Sequence, residues 1–423
     1  MRKKFLLFLI LFCGSMGGFA LRLEAAVAAS PSSSNRSRVA FWDFRSIDTM
    51  KHSRDLAREK QGSPSYDAVI EKEVAAIAES GATHVAIGTP YDEEFVPYLS
   101  RWVEAARRHG LKVWFRGNFS GWEGWFDVPR IDRETHLQNL RRFLNTHPSL
   151  FEDGDVFTSC PECENGGPGD PRQTGDVEGF RNFLLAENDV AQEFFRTTGK
   201  NVRTAWFSMN ADVARLIFDP ETTRRLDNTV TIDHYVRSPE ALARDAEALS
   251  QKSGGSVVLG EFGAPIPDIH GKMTEAAQAE WLRAALTALQ NTPSIAGLNY
   301  WTHAGSSTAL WDDSGKPRQA ASVLRAFYRP ILLRGSVRDE WGRGIPSARV
   351  FWRTSFETTT DTAGNFSLLL PREEGSESRL TISAEKFAPK TVPISEEVIR
   401  VSLQSTDSSW FTPLLVWLQS LGK

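Results

Sequence analysis

The sequence is short of cysteine. Of 423 residues only Cys13, Cys160 and Cys163 are cysteines. Cys13 follows an N-terminal apolar stretch, which leaves the last two, and no second pair exists to complete a four-thiolate structural zinc site. Long apolar runs are also missing. Phe5 to Phe12 and Trp410 to Leu421 are both shorter than the roughly 20 residues a spanning helix needs. No charge of one sign dominates. The formal net charge is −4, so nothing in bulk electrostatics favours a nucleic acid or an acidic surface as partner. No glycine-rich turn follows the first strand candidate, which argues against an open dinucleotide-binding sheet.

The N-terminus, by contrast, carries a clear pattern. Arg2, Lys3 and Lys4 precede the Phe5 to Phe12 run, and small residues with an Ala-rich stretch from Ala25 follow. This reads as an export signal over residues 1–29, with secretion or a periplasmic or cell-envelope location as the expectation. Phe12 is a poor fit to the small residue that precedes a lipidated cysteine. Residues 30–37 read as a flexible linker. The apolar tail, 405–423, could dock on the body, on a partner or at a membrane interface.

Between 38 and 329 short apolar runs alternate with amphipathic stretches. Strand candidates are Val39 to Phe44, His84 to Gly88, Lys112 to Arg116, Val156 to Cys160, Val202 to Phe207, Thr229 to Tyr235, Val257 to Glu261 and Ile295 to Trp301. Helical spacing lies between them, as in Pro239 to Gln251 behind Ser238 as N-cap. Eight such units predict a (β/α)8 TIM barrel, an α/β fold. From 330 to 404 the pattern changes to short β runs (350–352, 366–370, 380–384, 391–394) with turns at Asp339 to Gly342 and Asp361 to Asn365, which predicts a separate small all-β domain.

A barrel places its site at the C-terminal strand ends. Those ends offer Trp42, Arg116, Asn118, Glu162, Glu164, Asn165, Asp233, His234, Tyr235, Glu261, Asn299 and Trp301. Two glutamates, Glu162 after strand four and Glu261 after strand seven, supply what glycoside hydrolysis requires: one carboxyl to protonate the leaving oxygen and one carboxylate to attack. Strand alternation puts Val257, Leu259 and Glu261 on one face and Gly260 on the other. Glu164 is the rival to Glu162 as acid/base. Arg116 is placed to favour the charged nucleophile. The 13 tryptophans divide between core packing and a sugar-binding groove. Trp122 and Trp125, in the loop after strand three, could line that groove or pack the loop. Cys160 and Cys163 flank Glu162 and could form a disulfide, remain two small buried side chains, or bind metal.

Gly260-Glu261-Phe262-Gly263 after Val-Val-Leu resembles the nucleophile motif of clan A glycoside hydrolases, family five above all. The resemblance covers residues 38 to 329. It implies Glu261 as nucleophile, Glu162 as acid/base, and sugar-site places for His234, Tyr235 and the platform Trp301, beside which Asn299 joins the sugar-binding set from its position at the end of strand eight. The chain departs from that pattern in two places. His234 and Tyr235 are adjacent rather than spaced by one, and Pro161 replaces the Asn that usually precedes the acid/base, so a 2-hydroxyl contact falls to Asn118 or Asn165. Residues 335–366, with Gly335-Ser336-Val337-Arg338-Asp339 and Asp361-Thr362-Ala363-Gly364-Asn365-Phe366, resemble a carboxypeptidase regulatory-like domain, a prealbumin-type (Ig-like) β-sandwich serving as accessory module. The expected activity is retaining hydrolysis of a β-linked poly- or oligosaccharide. No metal and no organic cofactor are expected. A silent carbohydrate-binding protein and a transglycosidase on the same scaffold are the alternatives.

Overall fold

A computed structural model describes residues 40–167, 169–372 and 379–406. The export signal, the linker and the apolar run from Trp410 lie outside the described residues. No helix among the described residues is long and apolar enough to cross a membrane.

Eight parallel strands form one sheet: β1 (Phe44–Asp48), β2 (His84–Ile87), β3 (Lys112–Phe115), β4 (Val156–Phe157), β5 (Ser208–Asn210), β6 (Thr229–Asp233), β7 (Ser256–Phe262) and β8 (Ile295–Tyr300). Their order is β4-β3-β2-β1-β8-β7-β6-β5. A parallel bridge from Val156 to Arg203, just ahead of β5, closes the circle. The expected TIM barrel is therefore present. Two strand positions are corrected. The first strand begins at Phe44, not Val39, because Phe41 and Trp42 are drawn into packing below the barrel. The fifth is regular only from Ser208, with Arg203 touching β4 alone.

Phe44, Ala86, Trp114, Val156, Trp206 and Val258 fill the barrel interior as a cluster separate from the larger core. Phe44, Trp114 and Trp206 meet edge to face at centroid distances of 4.7–5.7 Å, the arrangement that ring quadrupoles favour. This plug is the floor of the site. It also shows where several tryptophans go: Trp102, Trp114, Trp122 and Trp206 are buried, while Trp125, in the loop after β3, and Trp301, after β8, are partly open.

The outer helices start and stop where their termini are satisfied. Helix Pro239–Ser253 has proline in its first turn and Ser238 accepting from the Ala241 N–H, and it ends at Gly254 with φ 73°, a left-handed position that glycine adopts without cost.

The last barrel helix ends at Tyr328, and β9 (Ile331–Arg338) opens the second domain. β10 (Arg349–Trp352), β11 (Phe356–Thr359), β13 (Arg379–Ser383) and β14 (Lys390–Pro393) form a four-stranded sheet; β12 (Asn365–Leu370), β9 and β15 (Val398–Ser402) form a three-stranded one. This is the expected small β-sandwich. It is not tethered loosely. Gln290 and Asn291 donate side-chain hydrogen bonds to the Ser355 carbonyl, the Arg372 N–H donates to Ala326 O, and Phe41 and Phe327 pack on Phe356. Trp42 belongs to this lower layer. It precedes β1, is 4% exposed and meets the Phe41 ring at a tilt. Its expected place at the sugar site is corrected: it stands at the N-terminal end of the barrel, away from the mouth.

Candidate active site

At the C-terminal end the inward residues alternate down each strand. Phe44, Ser46 and Asp48 share the inner face of β1; Trp114 and then Arg116 follow on β3; Thr231 and Asp233 follow on β6. β7 breaks the rule. Val258 faces the barrel interior while Val257 and Leu259 belong to the core under the helices. Simple alternation would then turn Glu261 outward. A register irregularity pairs Ile232 with Leu259 but Asp233 with Glu261, and this bulge re-aims Glu261 into the mouth. The expectation that Val257, Leu259 and Glu261 share an inward face is thus corrected, although Glu261 does point inward. A glycine is needed at the bulge: a Cβ on Gly260 would stand 2.4 Å from Asp233 Oδ1 and 2.8 Å from Ser208 Cβ.

Arg116 is the centre of the cluster. It is 1% exposed. Its Nη1 donates to Asp48 Oδ2 (2.7 Å) and Glu261 Oε1 (3.0 Å), and its Nη2 to Ser208 Oγ (2.9 Å) and Asp233 Oδ2 (3.2 Å). Burial works against its charge, but Asp233, Glu261 and Asp48 together raise its affinity for the proton well above the ordinary value. Tyr235 donates its hydroxyl to Glu261 Oε2 at 2.7 Å; burial, then Glu261, raise the phenol well above its usual range, so it stays a donor. Glu261 is consequently held by a donor on each oxygen. Burial pushes its carboxyl up and Arg116 opposes that rise; for Asp233, burial and the neighbouring Glu261 raise the carboxyl and Arg116 again opposes. Three buried carboxyls share one guanidinium, and Asp233 and Glu261, facing each other across it, both take up a proton more readily than an ordinary carboxylate.

Glu162 follows β4 with φ 46°, capping the short helix Cys163–Gly166. Its N–H donates to Ser208 O at 2.8 Å. Oxygens of Glu162, Asp233 and Glu261 lie within 4.8 Å of one another. Such a donor set could ligate a hard cation, but Arg116 already occupies the positive position against two of the three. Cys160 and Cys163 are joined in a disulfide on either side of Glu162.

Glu164 is 2% exposed and accepts the Asn210 N–H at 2.7 Å; burial raises its carboxyl to about 7. Asn118 is buried, and both polar atoms of its amide have partners. Oδ1 receives the Phe119 N–H and stands 2.6 Å from His136 Nε2, and Nδ2 donates to Glu123 Oε1 at 3.2 Å. It thereby ties Glu123 to His136. Asn299 donates to Asp48 Oδ2 (3.1 Å) and to Gly260 O (2.7 Å), bracing Asp48 and the bulge. Asn165 is exposed at the rim beside Asn210. Trp301 faces Tyr235 edge-on at 6.2 Å, with Lys51 Nζ 5.5 Å from its ring. His234 is placed differently from expectation. With Asp233 turned inward its ring turns outward and contacts Asp245 on helix Pro239–Ser253 at 3.1 Å, so it is part of the barrel wall.

Asp48, Ser208 and Glu123 were not anticipated. Asp48 was hidden by the misplaced first strand; the alternation Phe44, Ser46, Asp48 is the signal that finds it. Glu123 sits in helix Ser120–Glu123, where its carboxyl is raised to about 8 by burial, with Glu162 and Glu164 adding to the rise. Nothing in the sequence marks it as part of the site.

No protein-family model and no curated protein matches the chain. Solved structures do. A GH5_18 protein from Bifidobacterium longum subsp. longum, in complex with Manβ1-4GlcNAc, aligns with TM-score 0.50 at 15% identity, covering 72% of this chain and 86% of that one. Bacteroides uniformis β-glucuronidase 2 aligns with TM-score 0.45 at 11% identity over 79% of this chain and 44% of that one. The chain thus spans less than half the length of that β-glucuronidase. A β-glycosidase aligns with TM-score 0.45 at 15% identity over 69% and 96%. At these identities the likeness is one of fold: the barrel is of the kind found in solved glycoside hydrolases.

Proposed function

We propose that the chain is a retaining glycoside hydrolase cleaving a β-linked poly- or oligosaccharide outside the cytoplasm. The observation that carries this reading is the approach of Glu162 and Glu261, whose nearest carboxylate oxygens lie within 4.8 Å. Two carboxyls facing each other that closely suit double displacement, in which the groups stand about 5–5.5 Å apart. The two glutamates also differ in surroundings as the chemistry asks. Glu261 is clamped by Arg116 and Tyr235, which favours and orients the attacking carboxylate. Glu162 is half-open to the mouth, where it can trade protons with substrate and water.

In the first step Glu261 attacks the anomeric carbon while Glu162 gives its proton to the departing glycosidic oxygen, so one C–O bond forms as the other breaks. In the second, Glu162 takes a proton from water, the hydroxide equivalent attacks the same carbon, and the ester to Glu261 breaks. Tyr235 and Arg116 hold Glu261 throughout. The export reading of residues 1–29 is supported by the Cys160–Cys163 disulfide, since such bonds persist in oxidising compartments. The sandwich, with its likeness to carboxypeptidase regulatory-like domains, acts as an accessory module.

The test is trapping. The protein is incubated with 2-deoxy-2-fluoro glycosides bearing good leaving groups, and adducts are mapped by peptide mass spectrometry. An adduct on Glu261 is expected. An adduct on another residue overturns the assignment. Absence of both adduct and turnover across the sugars tried favours a silent binding protein, and transfer to an added acceptor in place of hydrolysis favours a transglycosidase.

A further inference from the structure

The two glutamates of the mouth are supported differently. Glu261 lies inside β7 and has a donor on each carboxyl oxygen. Glu162 has neither support. β4 ends at Phe157, so Glu162 stands beyond its strand. Among the described residues no hydrogen bond and no ion pair reaches its carboxyl. Its side chain is therefore aimed by its backbone alone. That backbone is unusual. Glu162 has φ 46° and ψ 44°, a left-handed conformation that is unfavourable for any residue with a Cβ. Pro161 and Glu162 are turn residues. Proline fixes φ near about −65°, and a positive φ directly after it is the order of a type II turn, whose second central place ordinarily goes to glycine. Here a glutamate stands in it.

A covalent ring closes around this turn. Cys160 and Cys163, the residues on either side of Pro161-Glu162, are joined in a disulfide, and both are buried. The link spans a sequence separation of 3. A loop that short removes little chain entropy from the unfolded state, because that gain grows with the length of chain enclosed. Global stabilisation is thus a weak account of the bond, and local shape is a strong one. The ring is seated on three contacts. The Glu162 N–H donates to Ser208 O and the Asn165 N–H to Glu162 O, both at 2.8 Å. Trp122 Nε1 donates to Cys163 O at 3.2 Å. Trp122 lies so close to the end of this segment that a Cβ on Gly167 would stand 2.0 Å from its ring. Ser208 also takes a hydrogen bond on Oγ from Arg116, the arginine that holds Glu261.

We propose that Cys160 and Cys163 are positioning residues for the acid/base. Their disulfide, seated on Trp122 and Ser208, holds Glu162 in the left-handed conformation that presents its carboxyl opposite Glu261, and proton transfer to and from the glycosidic oxygen depends on that bond. Pro161, which stands where an Asn usually precedes the acid/base, belongs to the same device. So does Trp122, whose indole faces the ring and not a sugar. The inference rests on the reading of Glu162 as acid/base.

The test replaces both cysteines together, Cys160→Ala with Cys163→Ala, in the full protein. Crystal structures of parent and variant read Glu162 directly. A positive φ with the N–H on Ser208 O is expected in the parent and is expected to be lost in the variant; a variant that keeps both overturns the proposal. Kinetics then compares the same replacement in the parent and in Glu162→Gln, using phenyl and 2,4-dinitrophenyl glycosides of the sugar that labels Glu261. In the parent, kcat on the phenyl glycoside should fall about 10–100-fold, as misplacement of a reacting group by about 1 Å allows. In Glu162→Gln the same replacement should cost less than about twofold, because the group it positions is already gone. Azide, a nucleophile that needs no general base, should restore turnover of the dinitrophenyl glycoside in the cysteine variant. Equal losses in the two backgrounds, or no rescue by azide, mark a merely structural bond and overturn the proposal. Should the double replacement fail to fold in thermal unfolding, Trp122→Phe, which removes only the donor to Cys163 O, gives the same comparison. Failure of the hydrolase reading shows separately, as absence of a Glu261 adduct in the parent, and leaves the crystallographic comparison intact.

Discussion

Arg116 Nη1 lies 3.0 Å from Glu261 Oε1 while the same nitrogen lies 2.7 Å from Asp48 Oδ2. The arginine therefore does not belong to Glu261 alone. It spans from the end of β1 to the end of β7 across the barrel mouth, and its other nitrogen reaches β5 and β6 through Ser208 and Asp233. One side chain ties four strand ends together, so the geometry around Glu261 and the stability of the upper barrel are coupled.

Replacing Arg116 by Met should expose that coupling. Three buried carboxyls would lose their cation, and breaking such a cluster costs about 3–5 kcal/mol. The loss should shrink as pH falls, because protonated carboxyls no longer need the partner. Denaturant unfolding at acid and neutral pH measures both; a variant as stable as the parent at neutral pH contradicts the clustering.

Removing each proposed catalytic carboxyl should give different kinetic losses. Glu261→Gln should lower kcat by at least about three orders of magnitude on every substrate, since no ester can form. Glu162→Gln should cost about 10²–10⁴-fold with poor leaving groups and much less with activated aryl glycosides, which leave without a proton. Equal losses on both substrate types in Glu162→Gln would move the acid role to Glu164.

Stability should also depend on pH through Glu164 and Glu123. Burial raises these carboxyls to about 7 and about 8, above the roughly 4.3 of an unfolded Glu. Between those values the folded chain holds protons that the unfolded chain has released. Stability therefore falls as pH rises from about 5 through 8. Thermal unfolding across that range should show a flatter profile for Glu164→Gln and for Glu123→Gln than for the parent.

Gly260→Ala should damage the site although it adds one methyl group. The new Cβ would meet Asp233 Oδ1 at 2.4 Å and Ser208 Cβ at 2.8 Å, so the bulge that aims Glu261 must shift. A stability loss of about 1–3 kcal/mol is expected, with a disproportionate fall in kcat. Unchanged kcat would show that the bulge tolerates movement.

The eight βα repeats, the change to β pattern after residue 330, and Glu162, Glu261, Arg116, Tyr235 and Trp301 as mouth residues were legible in the sequence, because periodicity and turn residues are local signals that survive without tertiary context. The first strand was misread because Phe41, Trp42 and Phe44 form an aromatic run that alternation cannot divide, and packing against Phe327 and Phe356 decides where it leaves the core and enters the barrel. That one shift hid Asp48 and misplaced Trp42. The inward aim of Glu261 depended on a bulge that no alternation rule foresees, since it arises from pairing with β6. Asn118 and His234 have the residue types of ligand contacts, and only the fold shows that they also bond to neighbours distant along the chain, Glu123 and His136 for one and Asp245 for the other. Local sequence determined which residues could reach the mouth. Tertiary packing decided which carboxyls share a cation, because charge compensation depends on groups that are distant along the chain and adjacent only in the fold.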